Sequence, residues 1–157
     1  MEGKIFTIGY QGLNTAELSS TLMLHGVTLL IDVRRRAMSR KPGFSRSALS
    51  ASLGRDGLAY RHVSQLGSPD EIRQRLKIDH DFGTFFRAYS HAAREETEAL
   101  EAVEEWLETD VICLMCFEAS PLQCHRSVLA NILSRRNSEM KVVHLGNFRR
   151  DPGRVAD

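Results

Sequence analysis

Apolar blocks alternate along the chain with amphipathic stretches, and the alternation reads as strand, helix, strand. Lys4–Gly9 (KIFTIG) is apolar and β-branched and predicts a first strand. Asn14, with Glu17 three residues later, makes a capping box ahead of Leu18, Leu22 and Leu24, which predicts a helix ending at Gly26. Val27–Val33 (VTLLIDV) is a near-continuous apolar run, the pattern of a strand buried on both faces. Strand, helix and strand within roughly thirty residues form a βαβ unit, which makes the two strands parallel. The basic loop RRRAMSRKPGF follows. Ser45 is then expected to cap a short helix through Leu53, and Leu58–Val63 reads as a third strand. Ser68-Pro69-Asp70-Glu71 has the look of another helix start, with serine as cap, proline first and acids in the first turn. A long helical stretch is predicted from Asp81 to Glu108, its apolar stripe blurred around Arg94–Thr97. Val111–Phe117 (VICLMCF) is a fourth buried strand, Ser120–Arg136 a helix and Lys141–Leu145 a last strand.

This order predicts an α/β fold: an open, mostly parallel sheet of about five strands with helices on both faces. One domain is expected over residues 1–157, with a core from 4 to 146 and a loose tail from 147 to 157. In such sheets ligands sit beyond the carboxyl ends of the strands. Three loops leave those ends: Gly9–Asn14, Arg34–Phe44 and Glu118–Gln123.

Composition narrows the class. Apolar residues are 42% and charged residues 26%, a soluble globular balance, and no run approaches the eighteen or so apolar residues of a membrane span. The start MEGKIFTIGY lacks the pattern of a signal peptide, so the cytoplasm is expected. The three cysteines, Cys113, Cys116 and Cys124, crowd one region and make a poor disulfide framework. Net charge is only +1, but Val33–Arg55 holds seven bases and no acid, whereas Glu95–Asp110 holds eight acids and no base. One electropositive and one electronegative face are expected.

Chemistry concentrates on the three loops. Asp32 ends the second strand, and a carboxylate in an apolar strand needs a partner. Arg34, two residues on, shares its strand face and can pair with it bidentately. Ser39–Phe44 (SRKPGF) looks like an anion-binding turn: Arg40 offers a fork of donors and Gly43 permits close backbone approach. Tyr10 lies on the first loop. The densest cluster is CFEASPLQCHRS, Cys116–Ser127. Its Ser120-Pro121-Leu122-Gln123 reads as a helix start that places Cys124, His125 and Arg126 at the end of the first turn. On a wheel of about 100° per residue, His125 points into the buried face and Cys124 and Arg126 flank it. The helix amino end and two cationic neighbours favour a Cys124 thiolate, the best candidate nucleophile. Cys116 and Glu118 share a strand face; Cys113 points the other way, into the core.

Three uses of the cluster stay open. In a thiolate enzyme, Cys124, Glu118, Asp32 and Cys116 form the catalytic set, and Tyr10, Arg34, Arg40, Arg126 and His125 bind a phosphate-containing substrate, a nucleotide or nucleic acid. In a non-catalytic module the same basic loop binds such a ligand without chemistry. A thiol redox pair or a zinc site is the third. Zinc is disfavoured because Cys-x7-Cys-His is an unusual spacing and adjacent helical residues diverge by about 100°. No cofactor, metal or membrane partner is therefore expected. The phosphatase arrangement, cysteine with arginine six residues later, is excluded by Leu122 and Ala130.

An ordered set of motifs resembles one family. Thr7–Gly12 (TIGYQG), Asp32–Arg34 (DVR), Ser39–Phe44, Tyr60–His62 (YRH), Leu66-Gly67 and Cys116–Ser127 are together similar to the domain of unknown function 488 family, from about Ile5 to Leu145. The resemblance implies a compact α/β domain and no established activity. Arg36 and Ala37 stand where members carry Asn-Pro, and Ser64 and Ser68 where they carry proline and glycine. More faintly, Ile-Asp-Val-Arg after a βαβ start resembles rhodanese sulfurtransferases, whose cysteine loop has a different spacing.

Overall fold

The computed structural model describes residues 3–146. These hold five strands and six helices: β1 (Lys4–Gly9), α1 (Thr15–Leu24), β2 (Leu29–Asp32), α2 (Arg46–Arg55), β3 (Ala59–His62), α3 (Asp70–Asp79), α4 (Phe82–Glu95), α5 (Thr97–Leu107), β4 (Ile112–Cys116), α6 (His125–Arg136) and β5 (Lys141–Leu145), with three of the helices in succession between β3 and β4. The strands form one open sheet in the order β3-β2-β4-β1-β5. Every pairing is parallel, so the expected mostly parallel sheet is wholly so. β4 runs between β1 and β2, pairing Phe6 with Cys113 on one side and Leu29 with Ile112 on the other. This brings the ends of β1, β2 and β4 side by side at one edge.

Helices cover both faces, because strand residues alternate between two apolar layers. Phe6, Ile8, Leu30, Cys113 and Met115 pack with Leu18 and Leu22 of α1 and Leu49 and Leu53 of α2. Ile5, Leu29, Ile31, Leu114 and Cys116 pack with Tyr89 of α4, Leu100 of α5 and Leu129 of α6. Cys113 and Cys116 thus face opposite layers. Helix α3 buries none of its residues and packs on α4. None of the described helices is long and apolar enough to cross a membrane. The tail expected to be loose, 147–157, lies outside the described residues.

The predicted elements differ from the observed ones at helix ends. The Asn14–Glu17 capping box is present on α1. The stretch 81–108 is two helices, broken where Glu96 leaves the helical region (φ −82°, ψ 61°). That break falls where the apolar stripe blurs. Ser45 stands at the start of α2 without capping it, since its hydroxyl bonds to the backbone of Ser39 instead. Likewise Ser68 caps nothing, and α3 starts at Asp70 after Pro69. The helix expected from Ser120 begins only at His125. Ser120 caps a short 3-10 turn, Pro121–Gln123, and Cys124 is extended (φ −134°, ψ 140°) before α6.

Candidate functional site

A cleft of about 610 Å³ opens over the carboxyl edge of the sheet. The β2–α2 loop lines it with Arg34, Arg35, Arg36 and Met38, and α3 with Arg73, Leu76 and Lys77. Phe82 and Phe85 come from α4, Tyr10 from the end of β1, and Cys116, Phe117, Glu118 and His125 from the end of β4 and the start of α6.

Beneath the arginines lies a closed network. Asp32 is fully buried. Its Oδ1 accepts from Arg34 Nε at 2.9 Å and from the Arg34 backbone N–H, and its Oδ2 accepts from Arg34 Nη2 at 2.7 Å and from the Tyr60 hydroxyl. Arg34 Nη1 also donates to the Tyr10 hydroxyl at 3.2 Å. Burial works against the charge on Arg34, but the bonds to Asp32 outweigh it and raise its pKa further. Burial and Asp32 also push the Tyr60 phenol up. Tyr10 stacks on Phe44, with ring centroids 4.6 Å apart, so the SRKPGF turn is anchored through its last residue.

Arg126 is fully buried. Its Nε donates to Thr7 Oγ1, its Nη1 to the Glu118 carbonyl and its Nη2 to the Ala119 carbonyl. The guanidinium thereby clamps the β4–α6 loop to β1. Gly9 lets that loop pass, since a Cβ there would overlap the backbone of Glu118.

The cluster itself is tight. Among the described residues, Cys116 Sγ, Cys124 Sγ and an imidazole nitrogen of His125 lie within 4.8 Å of one another. His125 Nε2 is 2.8 Å from the Val33 carbonyl, and a carbonyl only accepts, so Nε2 carries the proton and donates it. Nδ1 then faces both sulfurs, each at 3.8 Å. Tyr89 packs edge-on against the imidazole, with centroids 4.9 Å apart. Cys116 Sγ also approaches Glu118 Oε1, at 3.9 Å.

Electrostatics split the two thiols. Burial opposes charge on Cys124, but the Cys116 thiol, His125 and Arg126 outweigh it and hold its pKa well below the usual thiol value. The hydrogen bond to Cys124, together with burial, pushes Cys116 well up. Burial opposes charge on His125 as well, but the Cys124 charge and the Val33 bond raise its pKa. Burial and the Cys124 charge push the Glu118 carboxyl up to about 7. Charge is thus favoured on Cys124, behind the floor, and disfavoured on Cys116, in the floor, while the Glu118 carboxyl beside them is placed to exchange a proton with a bound ligand.

Of the residues singled out from the sequence, Tyr10, Arg34, Cys116, Glu118 and His125 meet at the cleft. Cys124 stands directly behind Cys116 and is 1% exposed. Asp32 sits under Arg34, and Arg126 is committed to protein acceptors. Arg40 is exposed and is not among the lining residues. Arg73 and Lys77 carried no expected role, and Phe82 and Phe85 were expected only in the apolar stripe of the 81–108 helix, yet all four line the cleft. Arg73 and Lys77 are four apart on α3, which was a usable signal for one shared face; that the face borders the loop required the tertiary structure.

The family model described as Domain of unknown function DUF488 matches residues 15–133. The match takes in DVR, SRKPGF and the cysteine motif, and starts after TIGYQG. No curated protein and no solved structure matches the chain.

Proposed function

The chain belongs to the family described as Domain of unknown function DUF488, and from that starting point we propose that it is an enzyme acting on a phosphate-bearing substrate with a flat ring, a nucleotide or the end of a nucleic-acid strand. One observation carries this reading: a single cleft is lined by cations and by aromatic rings and is floored by Cys116, His125 and Glu118. Arg36 is paired bidentately with Asp70 and Arg73 approaches the same carboxylate at 3.7 Å, which leaves Arg35 and Lys77 as the freer cations for a phosphate, with Arg73 beside them. Arg34 commits three of its roughly five N–H donors inside the protein and keeps the others for the ligand. Phe82, Phe85 and Phe117 supply faces or edges for a base, a contact worth about 1–3 kcal/mol per ring. In this reading Arg126 and Asp32 position the site and do not touch substrate. Cys116 is the sulfur that meets the ligand, Cys124 supports it from behind, and Glu118 handles a proton.

The test is a binding and turnover panel of inorganic phosphate, mononucleotides and short oligonucleotides. Arg73→Glu combined with Lys77→Glu is expected to weaken binding at least tenfold; unchanged affinity removes the cleft from consideration. Cys116→Ser is expected to keep binding and lose turnover by a factor of about 100 or more. Turnover that survives in Cys116→Ser assigns the chemistry elsewhere. Binding with no turnover in the unaltered protein makes it a binding module.

A further inference from the structure

We propose that Cys116, Cys124 and His125 form a transition-metal site, zinc by the chemistry of its ligands, with an open coordination position on the cleft beside Glu118. Any contact of the metal with a substrate rests on the reading above, with the open position rather than the Cys116 sulfur then meeting the ligand, but the metal's presence does not.

The two sulfur–nitrogen distances are close to those of a coordination sphere. Zinc takes sulfur at about 2.3 Å and nitrogen at about 2.0–2.1 Å, so tetrahedral ligand atoms stand roughly 3.6–3.8 Å apart. Here both sulfurs lie 3.8 Å from His125 Nδ1, and the three atoms fall within 4.8 Å of each other. An S–H···N hydrogen bond at that separation is long, and among the described residues Nδ1 meets only the two sulfurs. The Nε2–H bond to Val33 fixes the tautomer that turns the Nδ1 lone pair toward the sulfurs, which is how metal-binding histidines are held.

Adjacent residues inside a helix diverge by about 100°, but Cys124 and His125 are not both inside one. Cys124 is extended and α6 begins at His125, so the backbone turns between them and both side chains reach one point. The ligands come from the end of β4, the cap of α6 and its first residue, and Arg126 secures the intervening loop at the Glu118 and Ala119 carbonyls. Two sulfurs and an imidazole suit zinc far better than magnesium or calcium. Glu118 is not within the group of three, although its Oε1 is 3.9 Å from Cys116 Sγ. Three protein ligands with a fourth position on a cleft is the arrangement of a reactive, not a purely structural, zinc.

The experiment needs no substrate. Untagged protein grown with zinc, then desalted, is assayed for metals, and its metal-free form is titrated with cobalt(II). About one zinc per chain is expected, with near-ultraviolet thiolate-to-cobalt charge transfer and the strong visible bands of tetrahedral cobalt. Cys116→Ser and Cys124→Ser are expected to weaken zinc at least 100-fold, whereas Cys113→Ala, on the opposite sheet face, keeps it. Should a cysteine variant fail to fold, the unaltered protein still decides. If that protein is folded by circular dichroism yet carries no metal and gives no cobalt charge transfer, the proposal is overturned; so is it by a Cys116–Cys124 disulfide in protein never exposed to oxidant. Either result leaves nucleotide binding in the cleft standing on its own test.

Discussion

At Asp32 a carboxylate with no solvent exposure is satisfied by Arg34 and Tyr60, and that pair supports the arginine loop above it. Removing the charge leaves a buried guanidinium beside a neutral amide. Breaking a buried pair in this way typically costs about 3–5 kcal/mol. Asp32→Asn is therefore expected to lower the unfolding free energy measured by urea titration by that much, and a loss below about 1 kcal/mol means the pair is not structural. This pairing was readable from the sequence because residues two apart share a strand face. Arg126 was not. Its acceptors are Thr7, 119 positions away, and two loop carbonyls, and no local spacing reports on carbonyls. Its charge next to Cys124 and His125 suggested an anion ligand, whereas its donors hold the backbone that carries Glu118.

Among the elements, the strands were easier to read than the helix starts. A buried strand leaves an unbroken apolar run, so VTLLIDV and VICLMCF stood out, each losing one or two residues per end to loops. Helix starts depend on one side-chain bond, and serine has other partners to choose: Ser45 turns to Ser39 and Ser120 caps a 3-10 turn. The second of these matters for the site, because it moves Cys124 out of the helix and beside Cys116. The close passage of β1 under the β4–α6 loop sets the same geometry. Gly9→Ala would place a methyl on the Glu118 backbone, and overpacking of this kind costs about 1–3 kcal/mol. The expected outcome is a lower melting temperature together with loss of the cleft's ligand affinity. If stability falls while affinity is kept, the Gly9 contact serves the fold alone.

Over the whole molecule, the neutral balance of charge conceals a division of labour. Net charge is +1, yet Arg35, Arg36, Arg73 and Lys77 border one cleft, and the glutamates of α5 line other surfaces. The two charge runs were plain in the sequence. The contribution of α3 to the basic side was not, because it follows from a sheet order in which β4 separates β1 from β2 and from α3 packing on α4. Such a field draws anions to the cleft. It also has a measurable signature. If three or four phosphates of a single-stranded oligonucleotide are neutralised there, each contributes a slope of about −0.7 to log K against log salt, so raising salt from about 50 to 200 mM weakens binding roughly 20- to 50-fold. Replacing Arg73 and Lys77 with neutral glutamines removes about two phosphate contacts and is expected to flatten the slope by roughly 1.4. A slope near zero in the unaltered protein would mean that the cations do not meet phosphates. A steep slope that ignores the two substitutions would move the binding face away from α3 and onto the exposed part of the arginine loop, where Arg40 stands.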